Sequence, residues 1–517
     1  VFDILIKNGT LYDGAGGRGE KLDIGISGDT IGAIGRIEQD QAARVIDAAG
    51  MAVTPGFIDC HSHSDLTVMV EPLADSKLRQ GVTTEIVGNC GTSAAPFHPD
   101  ILSGFMSEYT DKLASKPPWE SLTDWFGLIE GQRVLTNIAS HVGHGNVRLV
   151  VVGPDEKPAK RDQLDAMRDL VGRCMEEGAL GLSTGLIYPP GMYADTAELV
   201  ACAKGLKKAN GVYATHMRSE GDRLIESIIE TIEIGRRAQV PVHISHLKAS
   251  GQPNWPKLDR AFEEIERAID EGVNVTCDRY PYTAGATWLG AVLPDWAQAG
   301  GKESILKRLE SPAERARIEQ ELRQNHGKDR WQRVMVVGVK GRVGEDLEGL
   351  TVAEIAEIER VDPPAAIVQL LVKTELSAGA LMFSMNEENM RRVMAKPYVM
   401  VGSDAWAVRA ETAEGHTHPR SYGTFPRVLG RLVRDGVLSL PEAVHKMTGM
   451  PAETFHLAKR GLLREGWFAD VVVFDPNRIL DVATYSEPHQ YPVGIEYVVV
   501  NGKIAGECAG RVLRGTE

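Results

Sequence analysis

Two histidines one residue apart, His61 and His63, follow the apolar stretch 51–58 within Pro55-Gly56-Phe57-Ile58-Asp59-Cys60-His61-Ser62-His63-Ser64-Asp65. In extended chain, side chains at i and i+2 share a face, so both imidazoles can converge on one ion. Imidazole suits zinc, nickel or iron. A lone His-x-His pair is better read as an ordinary polar strand end, so its company decides. Four further metal-capable side chains end or follow apolar runs: Cys90, His216, His246 and Asp404. Cys90 alone reads equally as an inert buried thiol, and Asp404 equally as a cap on the next helix. His216 and His246 read as ligands, because buried apolar strands do not usually end in histidine without a task. His243, at odd spacing from His246, belongs to the opposite strand face and reads as support. His141 and His144, around Val142-Gly143, read the same way, and His416 and His418 read as loop structure.

Something must hold these side chains at one place. Eight apolar, β-branched runs serve as candidate strands: 52–60, 83–89, 136–141, 180–184, 212–216, 240–246, 273–279 and 398–404. Helical stretches separate them, among them 161–177, 197–209, 224–238 and 258–271. That alternation is the pattern of βα units and a parallel sheet. The expectation is an α/β fold, a (β/α)8 TIM-like barrel of residues 53–459, whose chemistry sits at the C-terminal strand ends. The two chain ends, 1–52 and 460–517, are rich in short strands and turns and are expected to form one small β-sandwich. Asn8-Gly9 after the first strand reads as a hairpin turn. Between strands seven and eight lies more chain than a βα connection needs, and a lid-like insertion is expected at about 286–345.

Composition narrows the function classes. The chain has 517 residues, a formal net charge of −14 and six scattered cysteines. The negative balance argues against nucleic acid or an anionic membrane as partner. No apolar run is long enough to span a bilayer, and Val1–Ile6 reads as a strand rather than an export signal. Cysteines without framework spacing point to a reducing, cytoplasmic setting.

With these residues in view the chain resembles the D-aminoacylase (N-acyl-D-amino-acid deacylase) family of the amidohydrolase superfamily. The likeness runs nearly end to end. It is carried by the His61-x-His63 stretch, Gly88-Asn89-Cys90-Gly91, the run from Gly181 to Gly191, Tyr280-Pro281-Tyr282-Thr283-Ala284-Gly285 and His418-Pro419-Arg420-Ser421-Tyr422-Gly423-Thr424-Phe425. The resemblance implies one tightly bound Zn2+ on Cys90, His216 and His246, and a second, weaker position at His61, His63 and Asp404. Many superfamily members bridge two metals with a carboxylated lysine on strand four. Here Leu180-Gly181-Leu182-Ser183-Thr184 supplies none.

The implied reaction is hydrolysis of N-acyl-D-amino acids, and of dipeptides with a C-terminal D-residue, by metal-activated water. Asp404 would act as general base and then general acid. A carboxylate-bearing substrate needs a cation, for which Lys248 and Arg409 are candidates, with Tyr188 and Tyr282 as further hydrogen-bond donors. Arg218 and Arg279 rank below them. Trp288, Leu289 and the apolar run 288–293 lean side-chain preference towards hydrophobic residues. Two rivals are a cyclic amidase of the hydantoinase or dihydroorotase type and a metal-free scaffold that works by binding partners.

Overall fold

Short stretches that alternate apolar with small or polar residues form eight short parallel strands, the elements that position everything else. They are Phe57–Asp59, Val82–Val87, Asn137–Ser140 (continued by Val142–Gly143), Gly181–Gly185, Val212–His216, Val242–Ile244, Val275–Arg279 and Val399–Val401. The computed structural model describes residues 1–98, 118–325, 327–339, 347–413 and 415–515. Outside them lie parts of the expected barrel at 99–117, 346 and 414, of the expected insertion at 326 and 340–345, and of the expected C-terminal segment at 516–517. The first three strands form one parallel sheet, and Val142–Gly143 with the last five forms another. Two links join these sheets: Leu180 N donates to Ser140 O at 2.9 Å, and Ser62 bridges Ala405 in parallel. The strands are buried on both faces, as parallel strands under helices must be.

Amphipathic helices supply that cover. Lys257–Asp270 buries Leu258, Ala261, Phe262, Ile265 and Ala268, at the three- and four-residue spacing of a single apolar stripe. Arg161–Glu176 and Leu224–Ala238 pack the same core.

The chain ends build a separate region. Phe2–Lys7, Asp23–Ser27, Thr30–Gly35 and Ala42–Asp47 form a four-stranded sheet. A six-stranded sheet mixes N-terminal Thr10–Leu11, Glu20–Lys21 and Ala52–Pro55 with C-terminal Val471–Phe474, Ile495–Val500 and Lys503–Ile504. Ile4, Ile24, Ile46, Val53, Val471 and Val499 share one core. Two local expectations fail here. Asn8-Gly9 makes no hairpin, because the strands it joins belong to different sheets. Asn8, at φ 65°, is pinned by the Asp23 and Asp47 carboxylates as the chain crosses over. The run 52–60 is likewise two strands. Gly56 N donates to Asp470 O at 2.8 Å, and a Cβ on Gly56 would lie 2.1 Å from Thr83 Oγ1. A glycine is required where the chain passes from the mixed sheet to the parallel one.

The long segment before the last parallel strand folds on itself. Gly285–Trp288 and Val334–Val337 each pair antiparallel with Gly379–Met382. Helices Gly301–Glu310, Pro312–Asn325, Val352–Glu359 and Pro363–Lys373 cover them. Trp288 and Leu289 are buried in this unit's own core, with Trp288 Nε1 donating to Leu376 O. They pack the insertion rather than line a substrate pocket, which removes the basis for a hydrophobic preference.

Candidate metal centre

The bridge between Ser62 and Ala405 sets the end of the first parallel strand beside the end of the last. His63 Nε2 lies 3.0 Å from Asp404 Oδ1, and His61 Nε2 lies 3.5 Å from it. Cys90 Sγ lies 3.4 Å from His61 Nε2 and 3.5 Å from His246 Nε2. The His216 and His246 ring centroids are 4.4 Å apart. Donor atoms of His61, His63, Cys90 and Asp404 all lie within 4.8 Å of one another, as do those of Cys90, His216 and His246. The structure therefore brings all six expected ligands together, in two groups that share Cys90.

The donor set fits zinc. Bonds of about 2.0–2.3 Å to a tetrahedral ion place neighbouring donors about 3.3–3.8 Å apart. Both ring nitrogens of His216 are buried without a hydrogen-bond partner, a costly arrangement unless a ligand satisfies one of them. Backbone geometry marks the same residues: Cys90, His246 and Asp404 have φ of 51°, 39° and 53°. A left-handed conformation at a non-glycine costs about 1–3 kcal/mol and persists only where the surroundings enforce it.

Two buried carboxylates enforce it in part. Asp278 Oδ2 lies 2.9 Å from His61 Nδ1 and 2.9 Å from His243 Nε2, while its Oδ1 accepts from His246 N at 3.0 Å. Glu220 Oε1 lies 2.8 Å from His246 Nδ1 and pairs with Lys248. Carboxylates behind histidines fix the ring orientation and raise the basicity of the nitrogen facing the metal. His243 is thus support, acting through Asp278. Cys60, His243 and Asp278 also cluster, but Cys60 Sγ bonds Val401 O and His243 bonds Thr276 and Asp278, a satisfied network.

The local charges set the protonation states. Burial would raise the Cys90 thiol, but the neighbouring His61, His246 and His216 rings hold it well below its ordinary value, as a thiolate. Burial likewise opposes Asp404, yet the Arg420 guanidinium, with His246, His63 and His61 adding to it, keeps that carboxyl well below the usual range. Arg420 Nη1 lies 2.8 Å from Asp404 Oδ2. Burial and the Cys90 charge push the Tyr188 phenol up, so it stays a hydrogen-bond donor. Its ring stands edge-on to His216 at 5.2 Å, and its hydroxyl is 2.9 Å from Thr287 Oγ1.

The remaining candidates separate. Lys248 is buried beside His246, held by Glu220 and by His246 O at 3.0 Å. Tyr282 is not at the centre: its ring packs on His418 and under Arg427, and its hydroxyl reaches Pro419 O. The proline at 281 turns the chain after the strand ends at Arg279, so Tyr280 takes the inward position. Its ring lies 6.0 Å from Lys248 Nζ, 4.3 Å from Arg279 and 4.7 Å from Arg420. Arg409 is half-exposed and pairs with Glu411 at 3.6 Å. The residue expected to grip the substrate instead faces solvent, and Arg420 is the guanidinium at Asp404. Arg218 pairs with Glu230. His144 pairs with Glu198. His141 is buried against Phe455 with both nitrogens unpartnered. His418 accepts from Arg420 N at 3.0 Å and so steadies the Arg420 loop.

Glu220, Asp278, Tyr280 and Arg420 are the residues that reading the sequence missed. A signal existed for Asp278, a carboxylate inside an otherwise apolar strand, which cannot be buried unpaired. Glu220 stands four residues after His216, and Arg420 within a motif already singled out.

Comparison with known proteins bears on the family. A model of the amidohydrolase family matches residues 44–505. A D-aminoacylase of Alcaligenes xylosoxydans xylosoxydans is 36% identical over 100% of this chain and 98% of its own length. An N-acyl-D-glutamate deacylase of the same organism is also 36% identical, over 97% of this chain and 93% of its own. The crystal structure of an N-acyl-D-glutamate deacylase from Bordetella bronchiseptica, complexed with zinc and a phosphonate mimic of the tetrahedral intermediate, superposes with a TM-score of 0.84 at 32% identity, covering 99% of both chains.

Proposed function

Because the chain belongs to the amidohydrolase family, we propose that it uses zinc to hydrolyse N-acyl-D-amino acids, releasing a carboxylate and a free D-amino acid. The observation that carries this reading is the pair of donor groups sharing Cys90 Sγ, with Asp404 in one of them. Cys90, His216 and His246 hold the tight ion, and His61, His63 and Asp404 offer a second position. Bound zinc supplies Lewis-acid polarisation of the amide carbonyl and lowers the pKa of water to about 7. Asp404, an anion at neutral pH, takes the water's proton on its carboxylate and delivers it to the leaving nitrogen, without which an amine leaves poorly. Tyr188 donates its phenolic hydrogen towards the substrate acyl group. Lys248, with Tyr280 beside it, faces the substrate carboxylate, and dipeptides with a C-terminal D-residue present the same group.

The architecture serves that site. The eight parallel strands close as a (β/α)8 barrel over about 53–459, the terminal segments 1–52 and 460–517 make a β-sandwich, and the insertion is a lid. The pairing of Gly285–Trp288 with Gly379–Met382 supports extending that lid to residue 382. The partner is a small molecule, a reading that the net charge of −14 supports against nucleic acid. Among the described residues no helix is long and apolar enough to cross a membrane. Six unpaired cysteines support a reducing, cytoplasmic location.

Matched panels of N-acetyl-D- and N-acetyl-L-amino acids, with a hydantoin alongside and zinc quantified in the same sample, test the reading. Strong preference for D-substrates is expected. Equal turnover of both enantiomers, or hydantoin hydrolysis in their place, would overturn it.

A further inference from the structure

Asp404 occupies a left-handed conformation at the seam between the first and last parallel strands, where the ladder is reduced to the single bridge Ser62–Ala405. Something other than a strand ladder must hold it. Beneath the seam lies Lys77, a fully buried lysine outside every motif singled out from the sequence. Its ammonium has three hydrogens, and three acceptors meet them: Asp59 Oδ2 at 2.5 Å, Ser403 Oγ at 2.6 Å and Ala405 O at 2.7 Å.

Asp59 and Lys77 together clamp both neighbours of Asp404. Asp59 accepts from Ser403 N at 2.9 Å and from Ser403 Oγ at 2.6 Å. Ala405 O, besides taking the Lys77 hydrogen, accepts from His63 N at 3.1 Å and Ser62 Oγ at 3.2 Å. Asp404 N itself donates to His61 O at 2.7 Å. The next residues are held too, since Ala407 N donates to Ser64 Oγ and Ser76 exchanges hydrogen bonds with Val408. A buried ammonium so far from solvent is expensive and is retained only with its partners in place. It touches neither the donor atoms nor any position open to substrate.

We propose that Lys77 is a positioning residue for Asp404: through Ser403 and Ala405 it fixes the strained peptide that aims the carboxylate at the reacting atoms. The proposal rests on the reading of Asp404 as base and acid. Displacing a catalytic group by about 1 Å costs roughly 100-fold in rate. Removing the ammonium should therefore lower kcat, leave KM nearly unchanged and spare the ion held by Cys90, His216 and His246.

The test is the double variant Lys77→Met/Asp59→Asn, which deletes both charges of the pair and leaves Glu85, 3.9 Å from the ammonium, held by the Ser62, Ser64 and Thr136 hydroxyls, compared with Asp404→Asn and wild type in the zinc-loaded enzyme. Folded fraction, zinc stoichiometry, kcat and KM are measured on N-acetyl-D-amino acids. The expected result is kcat lower by about 100-fold per folded, zinc-loaded molecule, with KM within about threefold. A kcat within threefold of wild type, or a loss fully matched by lost zinc or lost folded protein, overturns the proposal. If the double variant does not fold, Ser403→Ala decides, with a tenfold loss of kcat expected and a loss under twofold overturning it. An active Asp404→Asn enzyme would instead overturn the reading of Asp404, so the two failures are distinguishable.

Discussion

The two groups of donors share one sulfur and differ in everything behind it. The Cys90, His216 and His246 side presents a thiolate, an imidazole whose nitrogens make no hydrogen bond, and a second imidazole backed by Glu220. No guanidinium or ammonium touches the Cys90 sulfur or the His216 ring among the described contacts. On the other side Asp404 is shared among His63, His61 and Arg420, so a cation entering there must compete with a guanidinium. The difference supports the proposed division of labour, in which the Cys90, His216 and His246 side would hold one ion tightly while Asp404 stays anionic for proton transfer. Asp278 is common ground, since it holds the His61 ring and the His246 backbone together.

Removing the shared sulfur breaks the comparison most severely. Cys90→Ala should abolish stoichiometric zinc and lower activity by about 1,000-fold or more, as expected when a metal's contribution is lost. Metal analysis after gel filtration, beside kcat/KM, checks it. Full zinc with wild-type activity would mean that the ion does not depend on the group containing the thiol.

Glu220→Gln sharpens the contrast. It keeps the shape at His246 and removes the carboxylate that makes the imidazole a better donor. Zinc affinity of the tight side should fall about 10–100-fold, the usual effect of a supporting carboxylate. Competition with a chelator gives the value. A second, weaker binding event should keep its affinity, because His61, His63 and Asp404 do not touch Glu220.

How much of this was legible in the sequence follows from how far each cause reaches along the chain. A helix such as Leu224–Ala238 was readable to its ends, because an apolar stripe is a local signal. The metal-capable strand ends were readable for the same reason, an apolar run stopping at a donor. Pairings across the sheet were not. Lys77 meets residues 326 and 328 positions away, and no period in the sequence encodes such a contact. Nearness to a strand end also misplaced the substrate side: it chose Tyr282, whereas beyond Arg279 the chain is redirected at Pro281. Arg409 failed because nearness to Asp404 in sequence does not survive the turn after the strand, while Arg420, farther along, folds back to it.

The smallest effect expected concerns Arg420. Its guanidinium is the strongest influence holding Asp404 below the usual carboxylate range, against the opposing effect of burial. Activity that needs the Asp404 carboxylate is present above that group's pKa and is lost as pH falls through it. In Arg420→Met burial still opposes the charge and its largest counterweight is gone, so the pKa rises and the acid limb of the kcat–pH profile moves to higher pH. At pH 8 the carboxylate is still ionised, so kcat there should stay within about tenfold of wild type, and zinc on the Cys90 side should be unaffected. An acid limb that stays in place would show that His246, His63 and His61 alone set the charge of Asp404. The competition inferred for the second side would then lie between imidazoles and metal, with the guanidinium a bystander.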